Sequence, residues 1–210
     1  MPGVVLAAAA GARESALEME GETQAMARIS SVRLLAGRSE RKLIRAAQGG
    51  SEAAMEELFR LHWPRAHRAA FLVVHDRAAA EDIAQEAFLS ALRALDRFDR
   101  RRPFGPWLHR IVVNRAIDHA RSRKLRREVE PELEIADEPG TVVDSAGLSD
   151  EFVAALRKLS PEHRAVVVLR YLLDFTPGEI ADALDMPRGT VNSRLRRGLD
   201  RLSLVLEEER

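Results

Sequence analysis

Asn192, Ser193, Arg196 and Arg197 are the side chains of this sequence best equipped for chemistry with a partner. The arginines offer planar, paired donors, and Asn and Ser add an amide and a hydroxyl. That set suits guanine, adenine and phosphate edges in a DNA major groove. All four fall on one side of a helical pattern whose other side carries Val191, Leu195, Leu199 and Leu202, at steps of four, four and three. Arg188 and Thr190, at the start of the same pattern, extend the polar face. No glutamate lies between Pro187 and Leu206, although a merely solvating face normally mixes both signs.

The elements that must position this face can be read on either side of Asp185-Met186-Pro187. Upstream, Pro177, Glu179, Ile180, Ala183 and Leu184 read as a short amphipathic helix. Thr176 is its N-cap, Pro177 suits the first helical position, and Glu179 can close a capping box. Two helices joined by a tight turn make a helix-turn-helix, with the helix from Pro187 to Leu202 presenting the arginines. On spacing alone an ordinary helical hairpin with solvated arginines also fits.

A second basic centre lies far upstream. From Arg97 to Arg127 there are eleven Arg and Lys against only Asp99 and Asp118. Charges this dense repel one another unless an anion joins them. The stretch opens with a Pro- and Gly-containing loop from Arg100 to Leu108 and continues as a helix from about Trp107 to Lys124, apolar early and basic late. Arginines interleaved with Phe104, Trp107 and His109 suit a phosphate backbone and unstacked bases. A lone tryptophan nevertheless reads first as core. Just before this, a helix over roughly Ala78 to Arg93 packs Ile83, Ala87, Ala91 and Leu95 along one stripe and turns Asp82, Gln85, Glu86 and Leu89 to another face. That face reads first as a helix start, where Glu81 and Asp82 favour the positive end of the dipole, and second as a docking surface.

The overall charge of zero hides this segregation. From Glu128 to Glu151 there are nine carboxylates and no Lys or Arg. With Pro131, Pro139, Gly140 and Gly147 among them, the segment reads as an extended, solvated linker between two helical domains. Upstream, Arg41 to Ala47, Glu52 to Arg68 and Phe71 to Val74 carry helical patterning, with Gly49-Gly50 as a break and Ser51 as an N-cap. Apolar residues at 46% with only 5% aromatics and little β-branched alternation point to an all-α fold.

Several functions are disfavoured. There is no cysteine, which removes disulfides and thiol chemistry and suits the cytoplasm. His62 and His67 lie five apart and His109 and His119 ten apart, so neither pair has the helical spacing of a zinc site, and neither a metal nor a cofactor is expected. Asp118 and His119 point about 100° apart on a helix and have no accompanying nucleophile, so no enzyme is expected. No stretch is long enough to span a membrane. The apolar run from Val4 to Ala10 lacks the charged start of a signal peptide, and Met19 and Met26 are alternative starts.

Three stretches, taken together, resemble the extracytoplasmic-function (ECF) group of bacterial RNA polymerase sigma factors. They are Ala80 to Phe88, Pro106 to Asp118, and Leu159 to Arg164 followed by Gly189 to Leu195. The resemblance implies an N-terminal extension over residues 1–39, region two over 40–127, a linker over 128–149 and a region-four helix-turn-helix over 150–206. It implies that Asp82, Gln85, Glu86 and Leu89 dock on the β′ clamp of core RNA polymerase, with the β flap as a further contact. It also implies that Arg101, Phe104, Trp107, Asn114, Arg115 and His119 capture and melt the minus-ten element of promoter DNA. Arg188, Thr190, Asn192, Ser193, Arg196 and Arg197 would read the minus-thirty-five element. Many relatives carry Lys or Arg where this chain has Asn192. An anti-sigma partner is implied as well, and the acidic linker would thread near the polymerase active-site channel. The rival is a free-standing helix-turn-helix regulator, which explains the arginine face of the helix from Pro187 to Leu202 but not the upstream basic centre with Trp107.

Overall fold

The computed structural model describes residues 39–129 and 148–208. The readings made on residues 1–38 and on residues 130–147 of the acidic segment lie outside them. Among the described residues the chain is all α-helical.

The first half is a bundle of four helices: α1 (39–48), α2 (Glu52–Val74), α3 (Arg77–Ala94) and α4 (Phe104–Val129). Ser51 caps α2 as its sequence implies, its hydroxyl accepting from the Ala54 amide. Asp76 caps α3 in the same way through Ala79. The two helical patterns separated at Arg68 are one helix: Leu58, Ala66, Ala69, Ala70 and Val73 are all buried along it. Pro64 lies inside this helix on an exposed position. Helix α4 starts earlier and ends later than its periodicity suggests. Gly105 and Pro106 sit inside its first turn, where a missing N–H costs no intrahelical bond. At its far end it runs two residues into the acidic segment, through Val129.

The second half holds α5 (Asp150–Arg157), α6 (Pro161–Val167), a wide π-type turn at Val168–Leu172, α7 (Pro177–Ala183) and α8 (Arg188–Glu208). The capping box at Thr176 and Glu179 is present in both directions, with Pro177 in the first turn. Asp185 takes a φ of 49°, and the Met186 N–H donates to the Ala181 carbonyl at 3.0 Å. This left-handed stop, which Asp tolerates better than most residues, ends α7 and sets the angle of α8. The buried stripe of α8 is Val191, Leu195, Gly198, Leu202 and Val205. Leu199, expected inside, is 38% exposed. Its place is taken by Gly198, where an added Cβ would stand 3.2 Å from Val167 Cγ2, so the missing side chain lets α8 approach α6.

The two halves do not stand apart. Their buried residues form one continuous hydrophobic cluster, with α5, α6 and the π-type turn laid against α2, and α6 also against α4. Polar bonds fasten the seam. Arg65 donates to the Leu172 carbonyl at 2.8 Å, Arg121 pairs with Glu162 at 2.9 Å, and Asn114 donates to the Ala183 carbonyl at 2.9 Å.

Candidate nucleic-acid interface

The polar face of α8 is built as its sequence suggests. Arg188, Asn192, Arg196 and Arg197 are exposed, and Thr190 and Ser193 are half-buried beside them. The order Arg188, Asn192, Arg196 repeats every four residues and Thr190, Ser193, Arg197 every three or four, so both rows run along one side of the helix. Among the described residues no ion pair engages Arg188, Arg196 or Arg197. Arg194 turns the other way, its guanidinium 3.7 Å from Met186 Sδ, where it braces the turn. Such a helix presents paired donors to an incoming groove at little reorganisation cost.

The upstream basic centre is arranged differently. Arg100, Arg101 and Arg102 are held outward on a turn in which Asp99 accepts from the Arg101 amide at 2.9 Å through its side chain. Phe104 does not join them. It is 1% exposed, packed edge-on against Phe98 at 5.7 Å and against Trp107 at 5.5 Å between ring centroids. Trp107 in turn lies 4.6 Å from Phe98 and is only half-buried. The first reading of a lone tryptophan, as core, therefore describes most of its surface. Phe104 props the loop from inside, because burial of the aromatic cluster outweighs exposure at the loop edge.

Asn114 and Arg115 are half-buried and engaged within the chain. Asn114 holds the first helix of the helix-turn-helix through Ala183, as above. Arg115 donates to Glu86 at 2.7 Å and to the Ser90 hydroxyl at 2.7 Å. One residue expected on DNA is thus joined to one expected on polymerase. Asp82, Glu86, Arg115, Asp118 and His119 line a groove of about 460 Å³ between α3 and α4. Burial, opposed by Asp76, holds His119 below its ordinary pKa.

On α3, Asp82, Gln85, Glu86 and Leu89 share one exposed face, with Leu89 51% exposed. Their spacing of three, one and three residues keeps them in register along the helix. A leucine standing in water among carboxylates is unlike a simple solvated helix start.

Sequence reasoning missed Arg65, Arg121 and Arg164, which shape the seam between the halves. No local signal marks them, because Arg65 and Leu172 are 107 residues apart and Arg121 and Glu162 are 41 apart.

Comparison with known proteins matches both halves in order. Residues 58–126 match the family Sigma-70 region 2, and residues 149–202 match Sigma-70, region 4. The chain is 30% identical over 181 residues to the ECF RNA polymerase sigma factor SigW of Bacillus subtilis (strain 168), covering 80% of this chain and 97% of that protein. It is 33% identical over 171 residues to the ECF RNA polymerase sigma factor SigM of Mycobacterium tuberculosis (strain ATCC 25618 / H37Rv), covering 80% and 85%. Among solved structures, CnrH in complex with the cytosolic domain of CnrY superposes with a TM-score of 0.59 at 26% identity, covering 81% of this chain and 99% of that one. The sigma factor RpoE in complex with the anti-sigma factor NepR from Bartonella quintana gives a TM-score of 0.57 at 25% identity, covering 74% and 98%.

Proposed function

Because this chain belongs to the extracytoplasmic-function group of RNA polymerase sigma factors, and so directs polymerase to promoters, we propose that its two basic surfaces read the promoter at two separate places. Residues 150–206 form the minus-thirty-five reader, with Arg188, Thr190, Asn192, Ser193, Arg196 and Arg197 in the major groove. Residues 40–127, with α4 continuing to Val129, form the minus-ten unit. There Arg101, Trp107, Asn114, Arg115 and His119 meet a captured, unstacked base and the melted strand, and Phe104 shapes the loop from behind. Asp82, Gln85, Glu86 and Leu89 dock on the β′ clamp of core polymerase, carboxylates against a basic surface with Leu89 as the apolar anchor. Residues 1–39 are an extension, and residues 128–149 connect the two units.

The observation that carries this reading is the outward, unpaired arginine face of α8 on a unit distinct from the basic loop and helix of the first half. A free-standing regulator would leave that first half without work. The two solved neighbours were captured with CnrY and with an anti-sigma factor, which supports an anti-sigma partner here too. No helix among the described residues is long and apolar enough to cross a membrane.

The arrangement described here is a closed one. The minus-ten and minus-thirty-five elements lie about 25 base pairs apart, roughly 85 Å at 3.4 Å per step. Asn114, however, touches the helix-turn-helix directly, with 2.9 Å between Nδ2 and the Ala183 oxygen. Both elements cannot be read at once from this state, so the seam opens before or during promoter binding.

A reductively cleavable thiol cross-linker tests this cleanly, since the natural chain has no cysteine. Joining Arg121→Cys to Glu162→Cys across the seam should abolish promoter-directed transcription by core polymerase, and cleavage should restore it. Full activity of the cross-linked chain would refute the opening step. Footprinting tests the family-level role separately: protection of promoter DNA should require core polymerase, and protection by the chain alone would favour the free-standing regulator.

A further inference from the structure

Helix α1 reaches both ends of the basic loop in the first half, directly at one end and through His62 at the other. Residues 99–103 of the loop hold Arg100, Arg101 and Arg102 outward, between Phe98 after α3 and Phe104 at the start of α4. At the entry, Gln48 Nε2 donates to the Leu95 carbonyl at 2.8 Å and to the Phe98 carbonyl at 3.1 Å. At the exit, the Glu40 carboxylate accepts from His62 Nε2 at 2.8 Å. The His62 ring in turn lies 5.2 Å from that of Phe104 between centroids. Gly105 lets the first turn of α4 close on the same ring, since an added Cβ would stand 3.2 Å from His62 Cε1.

These bonds are not needed to seat the helix. Ile44 and Ala47 are buried in the core and Leu43 packs against it, so apolar contacts already fix α1 on the bundle. The polar bonds run instead to partners 47, 50 and 22 residues away, and all of them lead to the anchors of the loop. The Leu95 carbonyl also accepts from the Phe98 amide at 2.9 Å, so Gln48 locks the turn from which the loop departs. Both attachments are shielded from water, which strengthens them: Gln48 is half-buried, and the His62 and Glu40 side chains are 12% and 17% exposed.

We propose that α1 sets the aim of the minus-ten loop, with Gln48 and the Glu40–His62 pair as positioning residues for Arg101 and Trp107. Phe98 and Phe104 both pack on Trp107, at 4.6 and 5.5 Å between ring centroids, so a shift at either anchor reaches the tryptophan. A loop held at both ends meets a strand with less ordering cost than one held at neither. The effect on promoter opening rests on the minus-ten assignment above, whereas the bracing itself does not.

Trp63→Phe leaves Trp107 as the single tryptophan of the full chain, and its quenching by acrylamide reports on the loop. In that background Gln48→Leu, which removes the N–H donors at similar size, should raise the quenching of Trp107 while circular dichroism shows unchanged helicity. Glu40→Leu should do the same, and Glu40→Gln, which keeps an acceptor for His62, should retain the value of the parent. Unchanged quenching in both leucine variants would overturn the proposal. An equal rise in Glu40→Gln would remove the Glu40–His62 pair from it.

Opening is then followed with core polymerase on a promoter selected by the wild-type holoenzyme, with 2-aminopurine placed in its minus-ten element. Gln48→Leu should slow opening by about three- to tenfold, the equivalent of one lost hydrogen bond, at unchanged affinity for core polymerase. A matching loss of core affinity would reduce Gln48 to a general structural role and overturn its positioning of the loop. Arg101→Ala with Trp107→Ala separates the two assignments. If that double variant opens the promoter normally, the minus-ten assignment fails and the quenching result alone decides the bracing. If it is defective while Gln48→Leu opens at the wild-type rate, the positioning role fails.

Discussion

Helices α4 and α8 both carry arginines along one face, yet they stand in opposite conditions. The α8 face points into solvent, and Arg188, Arg196 and Arg197 enter no ion pair among the described residues. On α4, Arg115 is tied to Glu86 and Ser90, and Asn114 to the backbone of α7. One surface is ready for a partner while the other is used to hold the molecule closed. The contrast teaches that a basic helix is not by itself an exposed binding face. If polymerase docks on Glu86 as proposed, it would compete with Arg115 for that carboxylate.

The largest expected effect comes from the shared carboxylate. Asp82→Lys with Glu86→Lys should abolish binding to core polymerase in a fluorescence anisotropy titration, since it sets like charges against the basic clamp. Arg115→Gln, which removes the ion pair with Glu86 and the bond to Ser90 but leaves the α3 carboxylates in place, should leave that binding measurable. Retained binding by the double reversal would move the docking face off α3.

Acid should separate the halves next. Among the described residues the buried polar side chains are His75 and His109, both in the first half. Burial, with further contributions from His62 and Arg65, lowers His109 from 6.5 to about 3. The folded state then keeps the ring neutral while the unfolded chain takes up a proton. The stability that His109 contributes is complete above the unfolded value near 6.5 and is lost as pH falls toward 3, at about 1.4 kcal/mol per pH unit. Urea melts of the full chain between pH 7 and pH 5 should show this slope, and His109→Gln should flatten it. His163 in the second half is also lowered by burial but is partly exposed, so its effect is smaller. An unchanged slope in the His109 variant would assign the acid sensitivity to other groups.

Smaller changes probe the ready face. Arg196→Ala or Arg197→Ala should weaken promoter use by about 1 to 3 kcal/mol if the residue meets a base edge, measured by polymerase-dependent binding to the promoter. An unaffected promoter would remove that residue from the reading face. The smallest effect is expected from Asn114→Ala in the free chain. Loss of one hydrogen bond should loosen the seam by about 1 kcal/mol, seen as a lower proportion of closed molecules by energy transfer between labels on the two halves. No shift would mean that apolar packing and the bonds of Arg65 and Arg121 hold the halves together without help from Asn114.

Much of this was legible in the sequence, for reasons of range. The all-α class, the caps at Ser51 and Thr176, the turn at Asp185 and the outward arginines of α8 all depend on residues three or four apart, where periodicity and capping act directly. Even the stripe of α8 was nearly right. It failed at Leu199 because the choice between Leu199 and Gly198 depends on how closely α6 approaches, a tertiary matter. The burial of Phe104 was not legible for the same reason: its exposure is decided by Phe98 and Trp107 together, not by the basic residues beside it.

What the sequence by itself determined is the helical class, the segregation of charge and the family that those motifs share. Only the tertiary structure decided which arginines are free and which are occupied. Glu86 finds Arg115 across 29 residues and Asn114 finds Ala183 across 69. Bonds at such separations follow from which apolar faces pack first, and no local pattern encodes that order.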